Sequence, residues 1–313
     1  MQHIVESQQF TLDFLNQIYR IADEMKVDPS PYMMPDKIMA TVFYEPSTRT
    51  RLSFESAMHR LGGNVITTEK AAEFSSHSKG ESLEDSIRVL SNYADIIALR
   101  HFEIGAAKRA AKTSQVPVVN AGDGAGQHPT QSLLDLYTIK SHFGQIDNLT
   151  IVMVGDLLYG RTVRSLCYLL ARFYKVKLIF VAPTICRMGQ DIKDFLDQHD
   201  VSWEEMDDFD AALAEGDCIY MTRIQKERFL DMGRYEQALN LYRIDESKLP
   251  LLKKTSMVMH PLPRLDEIDA AVDSDPRMKY FEQAGNGVWV RMALIAMLLH
   301  PDLQGKALLE EKI

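Results

Sequence analysis

Short apolar segments of β type alternate with segments of helical periodicity along most of the 313 residues. Periods of two and of 3.6 residues are the primary sequence signals for strands and helices. The predicted strands lie at residues 37–44, 64–67, 95–99, 116–120, 149–154, 176–182, 217–221 and 256–259. This strand-then-helix order predicts parallel sheets with helices packed against them. We therefore predict an α/β fold with two parallel-sheet αβα domains.

Glycine and proline mark several predicted boundaries. The turn-rich residues 122–131 lead into a helix predicted at 132–142, and Gly285-Asn286-Gly287 is interpreted as a turn before a helix at 288–300. The chain exceeds the usual size of a single domain, and its composition becomes turn-like at 144–148. We divide it into domains at 1–145 and 146–285 and a C-terminal helix segment at 286–313.

The strand at 37–44 is followed by residues 47–51, which read Ser-Thr-Arg-Thr-Arg. Serine and threonine are residue types that begin helices. Both arginines then fall in the first helical turn, where the helix dipole disfavours cations. A bound phosphate would offset their charge. The alternative is a surface helix whose arginines pair with carboxylates such as Glu45 or Glu55, and the segment alone leaves both interpretations open.

Composition narrows the class of partner. The formal net charge of −9 argues against a nucleic-acid backbone as the main partner, although a basic pocket can persist within an acidic surface. Three widely spaced cysteines without a C-x-x-C pair are expected to be reduced core thiols, and no zinc site is indicated. The N-terminal residues show no secretory pattern and no apolar run reaches the roughly 18 residues that span a bilayer. A cytoplasmic location without a membrane partner is expected.

Polar and basic residues recur directly after the predicted strands. In parallel sheets, ligands bind beyond the carboxyl ends of the strands. The segments concerned are 47–50, 100–101, 128–131, 161–162, 222–225 and 260–264. Arginine occurs in five of these six segments. A single arginine after a strand is usually a weak surface ion pair, but its recurrence at successive strand ends favours a site that holds an anion.

Several common enzyme motifs are missing from the sequence. No Gly-x-Gly-x-x-Gly fingerprint opens either half, and neither a P-loop nor a Gly-x-Ser-x-Gly elbow occurs. Dinucleotide, nucleoside triphosphate and serine hydrolase chemistry therefore lose support. Anion chemistry without a cofactor remains.

Three motifs carry a family resemblance. Phe43–Arg51, His128–Gln131 and His260–Arg264 together resemble the catalytic chains of aspartate carbamoyltransferases. The segments 155–162, 221–228 and 283–287 fit the same family in order, so the resemblance covers nearly the whole chain. It implies transfer of the carbamoyl group of carbamoyl phosphate to L-aspartate, the committed step of pyrimidine synthesis. It also implies that 1–145 binds carbamoyl phosphate, that 146–285 binds aspartate, and that the C-terminal helix returns to the first domain.

The resemblance assigns roles to individual residues. Carbamoyl phosphate would be bound by Ser47, Thr48, Arg49, Thr50, Arg100, His128, Gln131, Pro261 and Leu262. Among these, Arg49, Thr50, Arg100 and His128 would be catalytic. Aspartate would be bound by Arg161, Arg223, Gln225 and Lys79.

The same resemblance implies an oligomer. Ser75 and Lys79 match positions that reach the active site of a neighbouring subunit, which makes a homotrimer with shared sites the expected assembly. Ser78 stands where this loop often carries a second lysine. A separate regulatory chain or a dihydroorotase-like partner is left open. The remaining alternatives are a carbamoyltransferase for another amine such as ornithine, a catalytically silent homologue that acts as a binding protein, and a generic phosphate-binding protein.

Overall fold

The structure, a computed structural model, describes residues 3–71, 80–224, 233, 235 and 241–304. The chain divides into two compact units, residues 1–137 with 285–313 and residues 138–284. Each unit contains one parallel sheet. The predicted fold of two parallel-sheet α/β domains is thus confirmed, whereas the domain limits at 145 and 285 stay predictions.

The first unit contains a sheet with the strand order β2-β1-β3-β4. Its strands are β1 (Ile38–Phe43), β2 (Asn64–Glu69), β3 (Ile96–His101) and β4 (Val118–Asp123). The helices are α1 (Leu12–Val27), α2 (Thr48–Arg60), α3 (Leu83–Leu90), α4 (Ala106–Thr113) and the first part of α5 (Pro129–Phe143). Successive residues of a strand point to opposite faces, and Met39, Ala40, Val42 and Phe43 are all buried. Both faces of this sheet are therefore covered, as is usual for parallel sheets.

The second unit contains a sheet with the strand order β7-β6-β5-β8-β9. Its strands are β5 (Thr150–Val154), β6 (Lys177–Val181), β7 (Ser202–Glu205), β8 (Cys218–Met221) and β9 (Met257–Met259). The helices described are α6 (Arg161–Leu170), α7 (Gln190–Gln198) and α8 (Phe209–Glu215), and α9 (Tyr280–Leu299) begins in this unit. On one face, Val152 and Ile219 pack in a core cluster with Leu213 of α8. The adjacent central strands β5 and β8 bring the segments that follow them to one edge.

Among the described residues, one strand and one α-helix were not predicted. The strand β7 is short and carries two glutamates, which pair with Lys177 and Lys193 at 2.7 and 2.6 Å. The helix α8 has only seven residues and begins at Asp208, whose side chain accepts a hydrogen bond from the Ala211 amide. Both elements are too short to show a clear hydrophobic period.

Two helices begin earlier than predicted. Residues 129–131 form the first turn of α5, so this helix begins before the predicted residue 132. Helix α9 runs without interruption through Gly285-Asn286-Gly287, where a turn was predicted. Each glycine costs about 1 kcal/mol relative to alanine inside a helix, so packing has overridden local preference.

The three cysteines are free and buried, as predicted. No helix among the described residues has the length and apolarity to cross a membrane.

Candidate active site

The carboxyl edge of the first sheet gathers three of the predicted site segments. The ends of β1 and β3 are neighbours, because Phe43 pairs in register with Arg100 and the Tyr44 amide donates to the Arg100 carbonyl at 2.9 Å. Residues 47–51 come shortly after β1, while α5 follows β4, the strand next to β3. The start of α2, Arg100 near the end of β3 and the start of α5 therefore lie at the same edge of the sheet.

The first three amides of helix α2 have no acceptor within the helix. Ser47 is its N-cap, but its side chain makes no capping hydrogen bond, and the first backbone bond in the helix joins the Arg51 amide to the Ser47 carbonyl at 3.0 Å. The amides of Thr48, Arg49 and Thr50 consequently have no acceptor within the helix. Such an end carries a partial positive charge and favours an anion.

The two arginines of this turn differ in their partners. Arg51 pairs with Glu55 at 3.1 Å and with Glu69 at 3.2 Å. Arg49 makes no ion pair with any residue that the structure describes, and partial burial lowers its pKa from the usual value. The interpretation as a surface ion pair is therefore correct for Arg51 and Glu55. The guanidinium of Arg49 can instead bind an anionic ligand.

Arg100 lies where the pairing of β3 with β4 is irregular. The register shifts between Leu99 and His101, and such irregularities re-aim side chains at the ends of strands. The half-buried Arg100 side chain lies 3.6 Å from Glu45 and 3.4 Å from the carbonyl of Ala121. A carboxylate thus stands close to the guanidinium, at the edge where α2 begins.

His128 and Gln131 lie at the start of α5. The His128 carbonyl accepts from the amides of Gln131 and Ser132 at 3.0 and 3.2 Å, and its side chain is buried. The Gln131 side-chain amide donates through Nε2 to Asp135 Oδ1 at 2.8 Å. This orientation makes Gln131 Oε1 the atom suited to accept a hydrogen bond from a ligand.

Arg291 of α9 was not predicted as part of this edge. Its buried guanidinium donates to the Ser53 hydroxyl at 2.8 Å, lies 3.5 Å from Thr130 Oγ1 and stacks on Phe54 at 4.9 Å. Burial lowers the pKa of Arg291 to about 10. A Cβ atom on Gly287 would lie 2.5 Å from Arg291 Nη1, so glycine leaves room for this group. The buried arginine explains the glycine and links α2 to α5.

The second unit has its own cleft at the carboxyl ends of β5 and β8. It is lined by Val154, Gly155, Met221, Thr222, Arg223, Ile224, Tyr235, Tyr242, Leu265, Asp266 and Glu267. Gly155 has φ +110°, and a Cβ atom there would lie 2.3 Å from the Thr222 carbonyl oxygen. Glycine thus allows the chain after β5 to approach the chain after β8, which carries Arg223.

The predicted aspartate-binding residues are only partly described. Arg223 lines the cleft, and Arg161 begins α6, the helix that follows β5. Gln225, Ser75 and Lys79 lie outside the described residues, as does Ser78. The cleft is also lined by Asp266 and Glu267, which sequence reasoning did not single out.

Pro261 and Leu262 belong to a tightly held turn after β9. His260 donates its amide to Gln283 Oε1 at 2.9 Å, and its ring lies 2.8 Å from Glu267 Oε1. Burial alone would raise the pKa of Glu267, but hydrogen bonds from His260 and from the Leu265 amide outweigh burial and lower it. Leu262 has φ +52°, a left-handed conformation that costs a non-glycine residue of the order of 1–3 kcal/mol. The surrounding bonds must hold it there. Within the described residues, no group of three or more His, Cys, Asp or Glu side chains could hold a metal ion.

Two family models match the chain. The carbamoyl-phosphate-binding domain of aspartate/ornithine carbamoyltransferases matches residues 2–141, and the aspartate/ornithine-binding domain matches residues 147–298. A chloroplastic aspartate carbamoyltransferase of Arabidopsis thaliana is 54% identical over 96% of this chain and 78% of its own length. The catalytic subunit of aspartate carbamoyltransferase from Clostridium perfringens is 46% identical over 95% of this chain and 98% of its own.

Solved structures give the same result. Aspartate transcarbamoylase from Trypanosoma cruzi in complex with carbamoyl phosphate and aspartate superposes with a TM-score of 0.90 at 37% identity, covering 95% of this chain and 97% of that one. The catalytic subunit from M. jannaschii superposes with a TM-score of 0.88 at 47% identity, covering 98% and 100%.

The relatives correct one expectation. A cytoplasmic location was expected, but aspartate carbamoyltransferases of Arabidopsis thaliana, Pisum sativum and Oryza sativa at 52–54% identity are named chloroplastic. The prediction is therefore wrong as an inference from composition and motifs. Cytoplasm and chloroplast stroma are both aqueous, so the core and site residues of an enzyme can be the same in the two compartments. These residues therefore do not indicate in which compartment the protein is found.

Proposed function

The chain belongs to the aspartate/ornithine carbamoyltransferase family, and on this basis we propose that it transfers the carbamoyl group of carbamoyl phosphate to the amine of L-aspartate. The products are N-carbamoyl-L-aspartate and phosphate. This reaction is the committed step of pyrimidine synthesis. The relatives named above carry this activity in their names, and a structural neighbour at 37% identity was solved with both substrates.

One observation carries the proposal. In a protein of net charge −9, the start of α2 presents amides without an acceptor in the helix and an arginine without an ion pair among the described residues, and Arg100 lies at the end of the neighbouring strand β3. Backbone amides and guanidinium groups are the donors that proteins use for phosphate. We assign the phosphoryl group to Ser47, Thr48, Arg49, Thr50 and Arg100.

The carbamoyl group itself needs a different set of partners. Its NH₂ has two N–H donors, and we assign three acceptors to them, Gln131 Oε1 and the carbonyls of Pro261 and Leu262, so that two acceptors share one N–H. Its carbonyl oxygen needs donors, and Arg100, Thr50 and His128 fit this role. Losing one donor to a developing oxyanion typically costs about 3–4 kcal/mol of transition-state stabilisation.

Aspartate binding is assigned to the second unit. Two carboxylates require cationic partners, and Arg161 and Arg223 both follow central strands of the second sheet. We further assign Gln225 to this substrate, and Ser75 and Lys79 to a site shared with a neighbouring subunit of a homotrimer. A regulatory chain or a dihydroorotase-like partner would be additional to the trimer.

The reaction needs no covalent enzyme intermediate. The lone pair of the neutral aspartate amine forms a C–N bond with the carbonyl carbon, and the carbonyl oxygen becomes an oxyanion. The oxyanion then collapses, the bond from carbon to the phosphate oxygen breaks, and the departing phosphate takes the amine proton. Orienting two anions against each other is the main contribution of the arginines, and such positioning can be worth about 7–11 kcal/mol.

The assay that tests this proposal measures phosphate release and the carbamoylated product with carbamoyl phosphate and either L-aspartate or L-ornithine. We expect turnover with aspartate alone. Turnover only with ornithine would retain the phosphate site and refute the assignment of Arg161 and Arg223. No turnover with either amine would support a catalytically silent homologue. Mass measurement of the protein in solution tests the trimer.

A further inference from the structure

The residues 260–265, here called the 260–265 turn, are organised around one buried histidine. His260 follows β9 and is 2% exposed. Its backbone amide is anchored on Gln283 Oε1 at 2.9 Å, and its ring Nδ1 lies 2.8 Å from the Leu262 amide nitrogen. Its ring Nε2 lies 2.8 Å from Glu267 Oε1.

These contacts fix the proton on the ring. The Leu262 amide can only donate, so Nδ1 must be the acceptor and carries no proton. Nε2 therefore carries the proton and donates it to Glu267. Glu267 also accepts from the Leu265 amide at 3.2 Å through both oxygens, so the same carboxylate holds the far end of the turn. With Nδ1 as the acceptor, these bonds hold the ring in one tautomer and one orientation.

The bond to the Leu262 amide also sets the direction of a carbonyl. The Pro261–Leu262 peptide is trans and planar, so the Pro261 carbonyl points opposite to the Leu262 N–H. By accepting from the Leu262 N–H, His260 Nδ1 therefore also fixes the opposite direction, in which the Pro261 carbonyl points. Leu262 itself has φ +52°, which the same bond helps to maintain.

We propose that His260 is a positioning residue that aims the carbonyls of Pro261 and Leu262 at the carbamoyl NH₂, with Glu267 fixing its tautomer. This inference rests on the proposed function, since it assigns the turn to that substrate. His260 itself contacts no reacting atom. Its contribution is recognition of an NH₂ group in place of a methyl group.

Acetyl phosphate is the probe that isolates this role, because it keeps the phosphate and carbonyl and replaces NH₂ by CH₃. Dissociation constants of carbamoyl phosphate and acetyl phosphate are measured by calorimetry at low temperature, without an amine acceptor. In the His260→Leu variant we expect carbamoyl phosphate to bind at least tenfold more weakly, while acetyl phosphate binds within twofold of the wild-type value. Equal losses for both ligands, or no loss for either, would overturn the proposal.

A conservative variant and a matched control complete the test. In His260→Asn, the side-chain oxygen can accept from the amide two residues on, as in an Asx turn, so the preference for carbamoyl phosphate should be largely restored. His199→Leu removes an exposed histidine of the same unit and should leave both constants unchanged. If His260→Leu does not fold, Glu267→Leu, which releases the tautomer, should reduce the same preference; an unchanged preference would count against the role.

The two proposals fail in distinguishable ways. Wild-type protein that does not turn over carbamoyl phosphate refutes the proposed function. Wild-type protein that turns it over, combined with an unchanged ratio of dissociation constants in His260→Leu, refutes only the role of His260.

Discussion

Arg291 Nη1 donates to the Ser53 hydroxyl at 2.8 Å, and the same guanidinium lies 3.5 Å from Thr130 Oγ1. Ser53 belongs to α2 and Thr130 to α5, the two helices whose first turns hold proposed carbamoyl phosphate ligands. A buried cation thus links the two helices behind the site.

Arg291→Met should separate stability from activity. Burial lowers the pKa of Arg291 to about 10, which shows that the charge is poorly solvated, and an apolar side chain of similar length removes that cost. We expect the free energy of unfolding to change by about 1 kcal/mol or less, while kcat/KM falls at least tenfold because α2 and α5 lose their common donor. Urea unfolding and steady-state kinetics measure both. A variant with wild-type kcat/KM would refute the link.

Arg49 and Arg51 form a matched pair of test positions, two residues apart in one helical turn. Arg49→Leu should reduce kcat/KM by about 10²–10³ with little change in stability, because it removes a donor that no described carboxylate engages. Arg51→Leu should lower stability, by about 1 kcal/mol, because it breaks the pairs with Glu55 and Glu69. Kinetics and thermal unfolding of both variants give the comparison. The reverse pattern would show that Arg51 is the phosphate ligand.

Gly155→Ala should impair aspartate binding. Its φ is +110°, and the added Cβ would lie 2.3 Å from the Thr222 carbonyl oxygen, so the segment carrying Arg223 must move. We expect KM for aspartate to rise at least tenfold. In Gly144→Ala, φ is +76° and no atom lies within 4 Å of the new Cβ, so only the strain of about 1–2 kcal/mol remains. An unchanged KM in Gly155→Ala would exclude this segment from the aspartate site.

The three thiols should be inert in the native protein. Burial raises the pKa values of Cys167 and Cys186 to about 12, and Cys218 is fully buried. Only the thiolate reacts, and at pH 8 a thiol of this pKa is ionised to roughly one part in ten thousand. Mass spectrometry after iodoacetamide treatment should find no labelled cysteine in native protein and three in urea. Rapid labelling of native protein would show that one thiol is accessible.

Sequence reasoning predicted the fold and the start of α2 because these depend on local patterns. The period-two and helical segments predicted the parallel sheets, and the Ser-Thr-Arg-Thr-Arg segment predicted a helix start, which the structure has at Thr48. It missed β7, an edge strand whose glutamates pair with lysines of neighbouring elements. Because the sequence of β7 is mostly polar, it lacks the apolar alternation from which strands are predicted.

The errors at α9 and at the 260–265 turn have a different origin. Glycine is typical of turns, and Gly287 was therefore interpreted as a turn residue. In the structure, the guanidinium of Arg291 fills the space beside Gly287, and local propensity cannot predict such a contact. The hydrogen bond between His260 and Glu267 joins residues seven apart across an irregular turn. Because the turn has no sequence period, this bond could not be predicted from the sequence. Aspartate binding is harder still to predict, because the cleft that contains Arg223 exists only once β5 and β8 are adjacent.

The Glu45 carboxylate near Arg100 gives the site an internal counterion. An incoming phosphoryl group must displace this carboxylate from the guanidinium, so its measured affinity is the difference between two ion pairs. A monoanion such as chloride gains little from that exchange, whereas a dianion gains more. The resting site is therefore expected to ignore the abundant small anions around it and to exchange Glu45 only for a ligand of higher charge.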